Sequence, residues 1–80
     1  MNITVLAFGI AKDILDTNTL TLQLESGANV GILKDYLFKH YPAFKSLKSL
    51  SIAVNEEYRR DDYSISEKDE IVIIPPVSGG

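Results

Sequence analysis

The chain has 80 residues, 45% of them apolar and 24% charged, with a formal net charge of −3 and no cysteine. That length holds one domain with a modest core and no room for a large active-site cleft, and the lack of cysteine excludes disulfides, thiolate metal sites and cysteine nucleophiles. The lysines are scattered and the net charge is negative, so neither nucleic acid nor an anionic membrane is an expected partner. Without a run of eighteen apolar residues or a basic, apolar leader after Met1, the chain is expected to be cytoplasmic.

In chain order, "NITVLAF" (Asn2 to Phe8) alternates Ile3, Val5 and Ala7 against Thr4, Leu6 and Phe8. Both sets are partly apolar, which predicts a strand buried on at least one side and compatible with the middle of a sheet. "GIAKDILDTN" admits one helical turn or a broad hairpin loop, with turn chemistry at Asp16, Thr17 and Asn18. "TLTLQLE" (Thr19 to Glu25) has the clearest period of two: Leu20, Leu22 and Leu24 point one way, Thr21 and Gln23 the other. Asn29 then serves as N-cap of a helix whose one face carries Val30, Leu33, Leu37 and Tyr41, and Pro42 ends it. Gly31 in the first turn costs up to about 1 kcal/mol against alanine, so packing must hold this helix.

"LSIAVN" (Leu50 to Asn55) returns to strand with Ile52 and Val54 inward. "EYRRDDYSISEKDE" is a polar stretch of turns anchored by Tyr58, Tyr63 and Ile65, and "EIVIIPP" (Glu70 to Pro76) is the most β-prone run. The order β-β-α-β-(β)-β predicts an α+β domain over residues 1–74, a mixed sheet on one main helix. In such a β-grasp the first and last strands are central neighbours, which explains why both are so apolar.

Little in the body offers chemistry. His40 is the only histidine, close to a helix end, where it contacts terminal carbonyls or water; nothing completes a triad or a zinc site. The acidic residues between Glu56 and Glu70 are interleaved with Arg59, Arg60 and Lys68, a solvated charged edge matching no calcium-loop spacing. No phosphate-binding or nucleophile-elbow motif occurs. The protein is therefore not expected to catalyse a reaction alone, nor to bind a metal or cofactor.

Residues 75–80, "PPVSGG", suit an extended arm. Pro75 and Pro76 favour a polyproline path, and six residues reach about 20 Å. Val77 supplies one apolar contact and Ser78 a small hydrogen-bonding group, while Gly79 and Gly80 make the thinnest peptide available, able to enter a channel closed to any side chain. The α-carboxylate that follows is the one group on the protein that an acyl-adenylate would turn into a good electrophile.

The segment "AVNEEYRRDDYSISEKDEIVIIPPVSGG", with "VLAF" near the start and "NVGILKDYL" in the helix, resembles the MoaD family, the small sulfur-carrier subunit of molybdopterin synthase within the MoaD/ThiS-like ubiquitin-like superfamily. The specific parts are the terminal "PPVSGG", Val54-Asn55 and "KDEIVIIP". One departure is Lys68, where the family often has glycine; if that turn needs positive φ, lysine costs on the order of 1 kcal/mol.

The resemblance implies a two-station cycle. A MoeB-like enzyme uses ATP to adenylate the Gly80 carboxylate, and sulfur transfer makes it a thiocarboxylate. The tail, read through Pro75, Pro76, Val77, Ser78 and Gly79, then enters a MoaE-like large subunit, in a heterotetramer, and donates sulfur to cyclic pyranopterin monophosphate. Phe8, Tyr58 and Ile74 match positions where the family presents apolar side chains to its partners. The alternatives are a sulfur carrier for thiamine, cysteine or tRNA thiolation, or a ubiquitin-like binding or conjugation module.

Overall fold

The computed structural model describes residues 1–47 and 50–75. Its elements are β1 (Asn2–Ala7), α1 (Gly9–Leu15), β2 (Thr19–Gln23), α2 (Val30–His40), a 3-10 segment (Pro42–Ser46), β3 (Ser51–Val54), β4 (Glu57–Tyr58) and β5 (Ile71–Ile74). The five strands form one mixed sheet in the order β2-β1-β5-β3-β4. β1 and β5 are parallel and central, with Val5, Leu6 and Ala7 opposite Ile71, Val72 and Ile73; the other pairings are antiparallel. A parallel central pair requires a crossover, and α2 with the segments around it supplies one. This is the expected β-grasp.

Period-two alternation sends Ile3, Val5 and Ala7 of β1, Leu22 of β2, Ile52 and Val54 of β3, and Ile71 and Ile73 of β5 into one core. Val30, Leu33 and Leu37 of α2 meet them, and Tyr41 packs from the margin. Asn29 caps α2 as its sequence position predicts: its side-chain oxygen accepts from the Ile32 N–H at 2.9 Å. The helix stops at His40, and Pro42 opens the 3-10 segment. Within that segment Phe44 is fully buried, edge-on to Tyr41 at 6.3 Å between ring centroids.

The ambiguous stretch after β1 is a two-turn helix. Phe8 holds extended backbone (φ −133°, ψ 162°), and Gly9 takes φ 57°, a reversal that a side chain would resist. Ala11 and Leu15, four apart, then face the core, and Asp16 closes the helix in the left-handed region at φ 60°. Phe8 thus follows the ladder of β1 rather than ending it.

Lys68 causes no strain. The non-glycine residues at positive φ among those described are Asp16, Asn55 and Glu56, so the turn into β5 makes no demand for glycine at position 68. Its amide instead donates to the Ser66 hydroxyl at 3.2 Å.

Candidate functional site

Because β1 and β5 run parallel, their C-terminal ends reach the same end of the sheet. Phe8 and Ile74 lie one step past the Ala7–Ile73 pair, and Pro75 leaves from there. Of the tail, Pro75 is half-buried; Pro76, Val77, Ser78, Gly79 and Gly80 lie outside the described residues.

The side chains that β1, β5, β3 and β4 turn away from the helices form a second apolar surface. Paired residues share a face, so Leu6, Val72, Ala53 and Tyr58 make one row across four strands. Tyr58 is 70% exposed and Phe8 59%, whereas Leu6, Val72 and Ile74 are half-buried. Towards β2 the same face turns polar, with Thr4 opposite Thr21 and Asn2 opposite Gln23. The apolar part is therefore confined to the region around the root of the tail. Sequence reading singled out Phe8, Tyr58 and Ile74; it missed Leu6, Ala53 and Val72, whose place in this row depends on strand order.

The polar stretch between β4 and β5 is tied down by its own side chains. The Arg59 guanidinium bonds Glu57 at 2.6 Å and lies 4.5 Å from the centre of the Tyr63 ring. Lys34 of α2 bonds Asp61 at 2.8 Å. Glu67 accepts from the Asn2 amide at 2.9 Å. A shallow depression of about 470 Å³ opens beside Tyr58, lined by Arg59, Arg60, Asp62, Tyr63 and Ser64.

Among the described residues no group of three or more His, Asp or Glu side chains is arranged to hold a metal ion. The N-terminal donors of α2 are engaged: Val30 donates to the Tyr63 carbonyl at 3.0 Å, Gly31 to the Asp61 carbonyl at 2.9 Å, and Ile32 to Asn29. A Cβ on Gly31 would come within 3.3 Å of the Asp61 Cβ, so the glycine lets this loop lie against the helix. His40 is exposed and stacks on Tyr36 at 4.1 Å between centroids. No described helix is long and apolar enough to cross a membrane.

Comparison with known proteins gives the family and the fold. The ThiS family profile matches residues 5–80. The molybdopterin synthase sulfur carrier subunit of Arabidopsis thaliana is 36% identical over 81 residues, covering 100% of this chain and 84% of the relative. In fold, the chain superposes on SAMP1 from Haloferax volcanii with a TM-score of 0.82 at 22% identity, covering 100% of both chains. It also superposes on a chain from the protein–protein complex of subunits 1 and 2 of the molybdopterin-converting factor of Helicobacter pylori 26695, with a TM-score of 0.68 at 22% identity and 100% coverage of both. By profile and by whole-chain identity, this chain belongs to the ThiS family, on its MoaD branch.

Proposed function

We propose that this protein is the sulfur carrier subunit of a molybdopterin synthase. The observation that carries the reading is a family match running through Gly79-Gly80, in a chain whose relative in Arabidopsis bears that name. The open apolar face at the root of the tail supports it, because a carrier must dock its body while its tail is threaded into another protein's site.

In the first half-reaction an activating enzyme of the MoeB type presents ATP to the Gly80 carboxylate. The carboxylate oxygen attacks the α-phosphorus and pyrophosphate leaves, giving an acyl-adenylate. A sulfur nucleophile then attacks the acyl carbon and AMP departs, leaving the terminal thiocarboxylate. In the second, the thiocarboxylate sulfur attacks a side-chain carbon of cyclic pyranopterin monophosphate within the large subunit, and an oxygen substituent leaves that carbon. Water then attacks the acyl carbon, the carrier's C–S bond breaks with the sulfur kept on the pterin, and the Gly80 carboxylate is regenerated. The chain supplies no general acid or base to either step. It contributes a backbone thin enough to enter, a carboxylate to load, and an apolar face that positions both. The large subunit assembles with it as a heterotetramer, and the cycle runs in the cytoplasm.

Intact mass after incubation with the activating enzyme, ATP and a sulfur donor tests the first half. One oxygen-to-sulfur replacement at Gly80 is expected, and an unchanged mass under conditions where a control carrier is loaded would refute it. Incubating the loaded protein with the large subunit and the pterin tests the second: molybdopterin should form, and loading without transfer would assign the protein to a different thiolation route.

A further inference from the structure

The hairpin that carries Tyr58 is weakly held by its ladder. β4 is a two-residue edge strand, pairing only through Ala53–Tyr58 and Val54–Glu57, with one further bond from the Arg59 amide to the Ile52 carbonyl at 3.0 Å. Its turn, Asn55-Glu56, has both residues at positive φ (53° and 72°), the backbone of a mirror-image hairpin turn that glycine and asparagine accept and glutamate resists. Such a turn needs to be fastened from outside.

Asn55 does the fastening. Its amide donates to the Glu70 carbonyl at 2.8 Å, and its side-chain oxygen accepts from the Glu70 amide at 2.9 Å. Its Nδ2 donates to Asp69 Oδ1 at 2.9 Å, while Asp69 Oδ2 accepts from the Ser66 amide at 2.8 Å. One side chain thus joins the Tyr58 hairpin to the turn that launches β5, the strand bearing Val72, Ile74 and the tail. Ile52, Val54, Ile71 and Ile73 clamp the inner face of the same strands without help from Asn55. Losing its side chain should therefore free the hairpin to pivot while the core stays closed.

We propose that Asn55 is a positioning residue for partner docking, holding Tyr58 in register with Val72 and Ile74 through Asp69 and Glu70. The inference rests on the open sheet face being the docking surface.

A reciprocal swap tests it. Asn55→Asp sets two carboxylates against each other. Asn55→Asp with Asp69→Asn restores every bond at unchanged net charge. The carboxylate now at position 55 accepts from the Glu70 amide and from the side-chain amide at position 69, whose oxygen still accepts from Ser66. Binding to the synthase large subunit should weaken by about tenfold in the single variant, with the transfer rate at saturating subunit unchanged, and return to within roughly threefold in the pair. Should the single variant fail to fold, Asn55→Gly keeps the turn's backbone and removes only the side chain; it should bind about five- to tenfold more weakly. Wild-type affinity in either single variant, or a loss that the swap leaves unrepaired, would overturn the proposal. Tyr58→Ala is measured alongside. If it binds normally, the docking surface itself is misassigned; if it binds weakly while the Asn55 variants do not, only the role of Asn55 falls.

Discussion

On the face of the sheet that meets the helices, Ile3, Val5, Ile52, Val54, Ile71 and Ile73 are each at most 1% exposed. On the other face Leu6, Val72 and Ile74 are half-buried, and Tyr58 stands largely in water. The two sets alternate along the same strands and share a chemistry, yet they face different media. Burial on the inner face contributes most of the driving force for folding, roughly 25 cal/mol per Å² of apolar surface removed from water. The outer face contributes little until something covers it. An exposed apolar cluster of this kind, beside the point where Pro75 leaves the sheet, is the kind of surface that marks an interaction site rather than a structural one.

The sharpest way to break this contrast is to truncate a residue on each side. Phe44→Ala removes a fully buried ring and should cost about 3–5 kcal/mol of stability, measured by urea denaturation. A domain of this size has little reserve, so the variant should be largely unfolded at 37 °C. A small loss would mean that the core between this face and the segments packed on it is not what holds the fold.

Tyr58→Ala and Phe8→Ala should behave in the opposite way. Each should lower affinity for the large subunit by about 2 kcal/mol, as removal of an interface anchor commonly does. Stability should move by no more than about 0.5 kcal/mol, the range of surface substitutions. Calorimetric titration beside thermal unfolding decides the matter; losses in proportion would erase the distinction between the faces.

Two smaller changes sharpen it. Gly31→Val forces a branched side chain between α2 and Asp61 and should destabilise by about 1–3 kcal/mol, read in the thermal midpoint, without a separate binding defect. Lys34→Met removes the bond to Asp61, whose side chain is 66% exposed, and should cost no more than about 1 kcal/mol. The cost should shrink as salt is raised, which a denaturation series at two ionic strengths would detect.

Much of this design was legible residue by residue. The Asn29 cap, the buried stripe Val30-Leu33-Leu37 and the stop before Pro42 follow from 3.6-residue periodicity and capping chemistry, which are local. The double apolar character of "NITVLAF" and "EIVIIPP" placed both strands in the sheet centre, as their parallel pairing bears out. α1 was less readable, because two buried positions in seven residues, preceded by a glycine at positive φ, make too short a pattern to separate helix from loop. Phe44 carried no signal at all: it follows a proline in a segment with no repeat, and only the closing of the 3-10 segment over the core buries it.

What the sequence determined by itself is therefore the set of elements whose partners lie within a few residues, together with a resemblance concentrated in the diglycine tail. What only the tertiary structure decided is what distant segments do to one another. Strand order, set by pairing between the two ends of the chain, puts Leu6, Val72, Ala53 and Tyr58 in one row, with Tyr58 exposed, Leu6 and Val72 half-buried and Ala53 buried between them. The approach of Asp61 to α2 turns Gly31 from a helix weakness into a requirement, and the approach of Glu70 to Asn55 turns a strained turn into a brace. Periodicity records which side of a strand is apolar; whether a second layer arrives to cover it depends on chain closure, which no local pattern encodes.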